Sequence, residues 1–237
     1  MAQPTVLLLH AFPLDARMWR AQRGSLEDAG WAVVAPDLPG SGSEVGLGRW
    51  ARRLLGLAEG RLVVVGCSMG GYLAFELWRQ AAERIAALAL LDTRATPDTP
   101  EQREARDDSI RVLGEEGFEP FWSGLAPRLF ARGVDDAVVE DARRLAADQP
   151  ITALVAALET LRDRPDSRET LSTIDVPVLV AVGEEDRSTP PADSEAMVAA
   201  LPNARFLRIG GAGHLAPLER PSEVADALVQ FLREVPS

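Results

Sequence analysis

Gly66-Cys67-Ser68-Met69-Gly70 holds a serine between two glycines, where an apolar run gives way to a helical pattern. The glycines allow a sharp strand-to-helix turn, which lifts the serine hydroxyl to the sheet edge as a nucleophile. The helix behind it aims N–H groups and a partial positive charge at any oxyanion formed there. Serine is a weak nucleophile at neutral pH, so it needs a base, and the base an orienting carboxylate. The chain has 2 histidines. His214 follows Gly210-Gly211-Ala212-Gly213, a turn able to deliver an imidazole over the same edge. His10 ends a buried strand, where holding a loop is its expected task. For the acid, Asp186 is preferred over its neighbours Glu184 and Glu185 and over Asp92, which also ends a strand near the serine. The order Ser68, Asp186, His214, each after a strand, suits an α/β sheet. The same turn could instead be read as a dinucleotide-binding loop, but Ser68 then occupies the position where a glycine must let the pyrophosphate approach.

Six short apolar runs are expected to be strands: Val6 to Leu9, Ala32 to Ala35, Leu62 to Val65, Ala87 to Leu91, Val178 to Val182 and Ala204 to Ile209. They are mostly continuous instead of alternating, which fits a parallel sheet covered on both faces. Helical patterns lie between them, at Met18 to Ala29, Gly48 to Leu57, Met69 to Ala82, Ser194 to Ala200 and Pro221 to Leu232. The fold class is therefore α/β, a doubly wound sheet whose ligands sit at the strands' C-terminal ends. From Thr93 to Leu171 no strand pattern appears, only three or four amphipathic helices. An insertion of that length reads as a helical cap. The expected division is a core of 1–92 and 172–237 with a cap of 93–171.

Composition narrows the chemistry further. All 25 basic residues are arginine, so Schiff-base chemistry and a lysine-bearing phosphate loop are excluded. One cysteine, Cys67, cannot form an internal disulfide and is expected to pack beneath the serine turn. Two histidines and one cysteine are too few for a closed zinc site, and neither metal nor cofactor is expected. A net charge of −11 argues against nucleic acid and anionic membranes as partners. The apolar runs fall far short of the roughly 20 residues of a membrane span. The start, MAQPTVLLLHAF, has no basic n-region. A cytoplasmic protein, monomer or homodimer, is expected.

Five motifs together resemble the α/β-hydrolase superfamily: Leu8-Leu9-His10-Ala11-Phe12, Asp37-Leu38-Pro39-Gly40-Ser41-Gly42, the Ser68 turn, the Gly183-to-Pro190 acid turn, and Gly213-His214-Leu215 with Leu218-Glu219-Arg220-Pro221. Within it, the phrases His10 to Trp19 and Arg164-Pro165-Asp166-Ser167 are most similar to small carboxylesterases and 3-oxoadipate enol-lactonase-like hydrolases. The resemblance implies Ser68 as nucleophile, His214 as base and then acid, Asp186 as orienting carboxylate, and the Phe12 and Met69 N–H groups as the oxyanion hole. It implies cofactor-free hydrolysis of a small ester or lactone through an acyl-enzyme. Carbon–carbon hydrolysis or perhydrolysis on the same triad, and a non-catalytic ligand-binding protein of this fold, are the alternatives. Ala11 stands where the family usually has glycine, which would narrow the oxyanion turn, and the usual antiparallel strands before Val6 are missing, so a shorter sheet is expected. Trp19, Phe121, Trp122 and Leu215 are expected to line the substrate pocket. Asp37 is expected to tie its own loop together, and Arg17 and the cap arginines to be solvated.

Overall fold

The computed structural model describes residues 3–37 and 45–235, so Leu38 to Gly42 of the second motif lie outside the described residues. Its strands are β1 (Thr5–Leu9), β2 (Val33–Val34), β3 (Leu62–Cys67), β4 (Ile85–Leu91), β5 (Val178–Gly183) and β6 (Ala204–Ile209). They form one sheet in the order β2-β1-β3-β4-β5-β6, with every neighbouring pair parallel. The expected second strand shrinks to two residues because it is a half-buried edge, pairing only Val33 with Val6 and Val34 with Leu7.

The helices are α1 (Arg20–Asp28), α2 (Leu47–Leu55), α3 (Met69–Ala81), α4 (Pro100–Glu115), α5 (Phe118–Leu129), α6 (Asp136–Ala147), α7 (Ile151–Arg162), α8 (Arg168–Leu171), α9 (Pro191–Ala200), α10 (Ala216–Glu219) and α11 (Pro221–Leu232). The helix expected from Met18 is split. Asp15 caps a short 3-10 turn, Ala16–Trp19, and α1 begins after it. Proline occupies an early position of α9, where its missing N–H costs nothing, so α9 starts before the expected Ser194.

Alternate strand residues feed opposite layers. Leu7, Leu9, Val64, Leu90 and Val180 pack with α2, α3 and α9, while Val6, Leu8, Val63, Ala89 and Ala181 pack with α1 and α11. Both faces are thus apolar, which is why the strands read as continuous runs. The strandless stretch between β4 and β5 holds α4 to α8. Its entry is fixed by a capping box, with the Thr99 hydroxyl accepting from the Gln102 N–H and the Gln102 side chain accepting from the Thr99 N–H. Among the described residues no helix is long and apolar enough to cross a membrane.

Candidate active site

β3 and α3 meet at Ser68, whose φ of 50° is unusual for any residue but glycine. The turn is held because its neighbours leave no alternative. A Cβ on Gly66 would strike the Gly70 backbone, and one on Gly70 would strike the Leu9 carbonyl of β1. The Ser68 N–H donates to the Leu91 carbonyl at 2.9 Å, and the Thr93 hydroxyl donates to the Ser68 carbonyl at 2.9 Å. Strain at one serine is therefore held by close packing against β1 and β4.

The turns after β5 and β6 complete the arrangement. His214 Nε2 lies 2.8 Å from Ser68 Oγ, and its Nδ1 lies 2.8 Å from Asp186 Oδ2. The carboxylate beside Nδ1 fixes the tautomer, leaving Nε2 free to accept the serine proton. Asp186 is itself over-determined. Its Oδ1 accepts from the Ser188 and Thr189 N–H groups at 2.8 and 2.9 Å, and its Oδ2 accepts the Thr189 hydroxyl at 2.7 Å. Burial works against its ionisation, but His214 and the Thr189 hydrogen bonds outweigh that and hold the carboxyl below the usual range. Such an aligned chain can take a proton from a hydroxyl, return it to a leaving group, and orient water for a second attack.

The competing residues lie elsewhere. Asp92 has a φ of 46° and is fully buried, but it does not reach the imidazole. It accepts from the Gly183 N–H at 2.8 Å and the Ala216 N–H at 3.2 Å, bracing the β5 end and the residues after His214. Burial, aided by the Asp186 charge, pushes its carboxyl well above the usual range. Glu185 accepts from the Arg132 N–H at 3.1 Å. His10 is buried with Nδ1 3.1 Å from the Ala11 carbonyl, and burial lowers its pKa. Cys67 is buried beneath the turn as expected, its thiol pKa raised by that burial.

A cavity of about 120 Å³ opens over Ser68 and His214, lined by Phe12 and Phe121 among others. Three of the four expected pocket residues are not in that lining. Trp19 and Leu215 are fully buried in the core layer beneath the sheet that also holds Val6 and α11. Trp122 is turned away from the cavity, stacked on Phe118 and edge-on to Phe130. Ala11 belongs to the same buried layer as Trp19, with its N–H donating to Met18 Sδ, and is not in the cavity lining. Asp37 accepts from the Ala16 N–H at 3.0 Å, joining two turns, and the loop it was expected to tie together continues outside the described residues.

Two supports are not evident from the sequence. Glu219 accepts from the Gly213 N–H at 2.9 Å and the Ala131 N–H at 2.8 Å, tying the histidine turn to the segment after α5. The His214 N–H donates to the Leu129 carbonyl at 2.9 Å, a second tie to the same segment. Not all cap arginines are solvated, because Arg94 and Arg164 are buried around Asp98. Arg17 is half exposed and pairs with Asp15 and Asp148. The sequence does carry a signal for the Asp98 cluster, in Arg94, Asp98, Gln102 and Arg106, four residues apart.

A family model described as the alpha/beta hydrolase family matches residues 6–227. Among solved structures, a thermophilic esterase from Thermogutta terrifontis with malate bound is 37% identical, with a TM-score of 0.93 over 99% of this chain and 91% of that one. The enol-lactonase from Burkholderia xenovorans is 25% identical with a TM-score of 0.87, covering 99% of this chain and 93% of that one. A pimeloyl-acyl-carrier-protein methyl ester esterase from Aromatoleum aromaticum is 28% identical over 98% of this chain and all of its own length. With the family model spanning nearly the whole sequence and the parallel sheet in place, the chain belongs to the α/β hydrolase family.

Proposed function

We propose that this hydrolase cleaves small carboxylic esters or lactones through a serine acyl-enzyme. The observation that carries the reading is the unbroken chain Asp186–His214–Ser68, with 2.8 Å at both links. Ser68 Oγ attacks the acyl carbon while His214 Nε2 takes its proton. The oxyanion that forms is held by two N–H groups. That of Met69, first residue of α3, has no intrahelical acceptor, and that of Phe12 has no hydrogen-bonded acceptor among the described residues. His214 then protonates the leaving alkoxide, the C–O bond breaks, and the acyl group remains on Ser68. Water, deprotonated by His214, attacks the acyl carbon and releases the acid, returning the proton to Ser68. Asp186 stays ionised and stabilises the imidazolium in both halves. Every step uses the chain's own groups and water. The esterases and the enol-lactonase it resembles support the same substrate classes.

Turnover of p-nitrophenyl acetate by wild type and Ser68→Ala tests the reading. Removing the nucleophile should lower kcat by about 10⁴-fold or more. Labelling by a fluorophosphonate should occur on wild type and not on the variant. Hydrolysis that survives the substitution would sink the assignment.

A further inference from the structure

The cavity over Ser68 has walls of two kinds. Phe12 with Phe121, Leu125 and Leu129 of α5 supplies apolar surface, whereas Arg94, Asp98, Gln102 and Arg106 come from the β4–α4 connection and α4. Arg128 is also on the lining. In a chain of net charge −11, three arginines against one carboxylate make this wall cationic.

The single carboxylate is already saturated. Asp98 Oδ1 accepts from Arg94 Nη2 at 2.9 Å and faces Arg164 Nη1 at 2.7 Å, while Oδ2 accepts from Arg106 Nε at 2.5 Å. Arg94, by contrast, has donors to spare. Its side chain is 9% exposed, and Nη2 is committed to Asp98 and to Gln102 at 3.1 Å. Its Nε is buried without a hydrogen-bond partner, and Nη1 has only the Asp193 carboxylate at 3.9 Å, beyond hydrogen-bond range. A guanidinium carries five N–H donors in a rigid fork and is costly to bury half used. One held this way on the wall of a reaction cavity is prepared for an acceptor that arrives with the ligand.

We propose that Arg94 recognises a carboxylate on the substrate, so that the preferred substrates are short esters or lactones bearing a free acid group. The proposal rests on the serine-hydrolase reading of the same site and deepens it. Because Arg94 and Ser68 line the same small cavity, the acid and the ester are taken to sit a short spacer apart. The apolar residues of α5 cover the spacer, and the Arg94 Nη2 hydrogen bond to Asp98 Oδ1 holds the guanidinium in place on the wall.

The test compares kcat/KM for matched pairs: the monomethyl esters of succinic and glutaric acid against their neutral amide isosteres. O-acetylglycolate against O-acetylglycolamide places the acid on the leaving group instead of the acyl group. Wild type should prefer the acid member of at least one series by about tenfold or more, the worth of a charge-assisted hydrogen bond. Arg94→Gln should bring that ratio close to unity, chiefly through KM, and Arg94→Lys should leave an intermediate ratio. No acid preference in wild type, or a preference unchanged in Arg94→Gln, overturns the proposal. If Arg94→Gln does not fold, an unchanged ratio in Arg94→Lys overturns it. Wild type that hydrolyses p-nitrophenyl acetate without acid preference refutes only this inference, whereas wild type inert on every ester refutes the hydrolase reading beneath it.

Discussion

Asp92 and Asp186 both end strands beside the imidazole turn, and they do opposite work. Asp186 touches His214 and is held ionised, whereas Asp92 accepts two backbone N–H groups and is pushed toward its neutral form. The order of residues along the chain points to Asp186 but does not exclude Asp92, because both reach the same sheet edge. What separates them is which atoms face the ring. Asp186→Asn should therefore lower kcat by about 10³- to 10⁴-fold through the wrong histidine tautomer, with little change in KM. Asp92→Asn should behave differently in steady-state kinetics, staying within about tenfold of wild type, since asparagine tolerates positive φ and its amide oxygen can still accept. Asp92→Leu strands the Gly183 and Ala216 N–H groups and should cost about 2–4 kcal/mol in denaturant unfolding. Equal kinetic losses in the two asparagine variants would contradict this division of labour.

Among the elements, the strands and the turn at Ser68 are legible because their signals are local. Continuous apolar runs mark strands covered on both faces, and glycines mark close backbone approach. Gly70 sits where any Cβ collides with the Leu9 carbonyl, so Gly70→Ala should force β1 and α3 apart. We expect a loss of about 3 kcal/mol or more, seen as a lower Tm or loss of soluble protein. Gly24 is half-buried within α1 with open space where a Cβ would stand, and Gly24→Ala should raise Tm slightly. The pocket is less legible. Trp19, Trp122 and Leu215 have the same apolar character as Phe121, and only packing decides that Phe121 alone of the four lines the cavity over Ser68. The Asp98 cluster shows in the sequence only as the four-residue spacing of Arg94, Asp98, Gln102 and Arg106, and its burial does not show there. Arg164 joins it from just beyond α7, far along the chain, so burial of these charges arises only when the helices assemble.

At the scale of the whole molecule, every basic side chain outside the two histidines is a guanidinium, and guanidinium does not titrate in the range where proteins stay folded. The acid limb of stability is therefore written by carboxylates together with His10, which burial holds neutral below the usual histidine range. Asp15, Asp98 and Asp186 are held below the usual range: burial opposes ionisation in each, and the arginines, or His214 for Asp186, overcome it. The unfolded chain binds protons at these sites before the native one does. Their stabilisation is thus present above the ordinary carboxylate pKa of about 4 and is lost as pH falls through the lower native values. Asp92, Asp193 and Glu219, raised by burial first, have the reverse sign: they favour the native state below their unfolded pKa and lose that contribution as pH rises through their raised values. Opposed signs predict a stability optimum between the two sets, with a steep fall on the acid side. Asp98→Asn isolates one contribution, because it leaves Arg164, whose side chain is 1% exposed, without its carboxylate. It should cost about 3 kcal/mol at neutral pH. Its Tm should then fall less steeply than wild type on acidification, since the group that must be protonated is already gone. Parallel acid limbs for the two proteins, measured by thermal unfolding across the carboxylate range, would show that the arginine clamp on Asp98 does not set the acid limit.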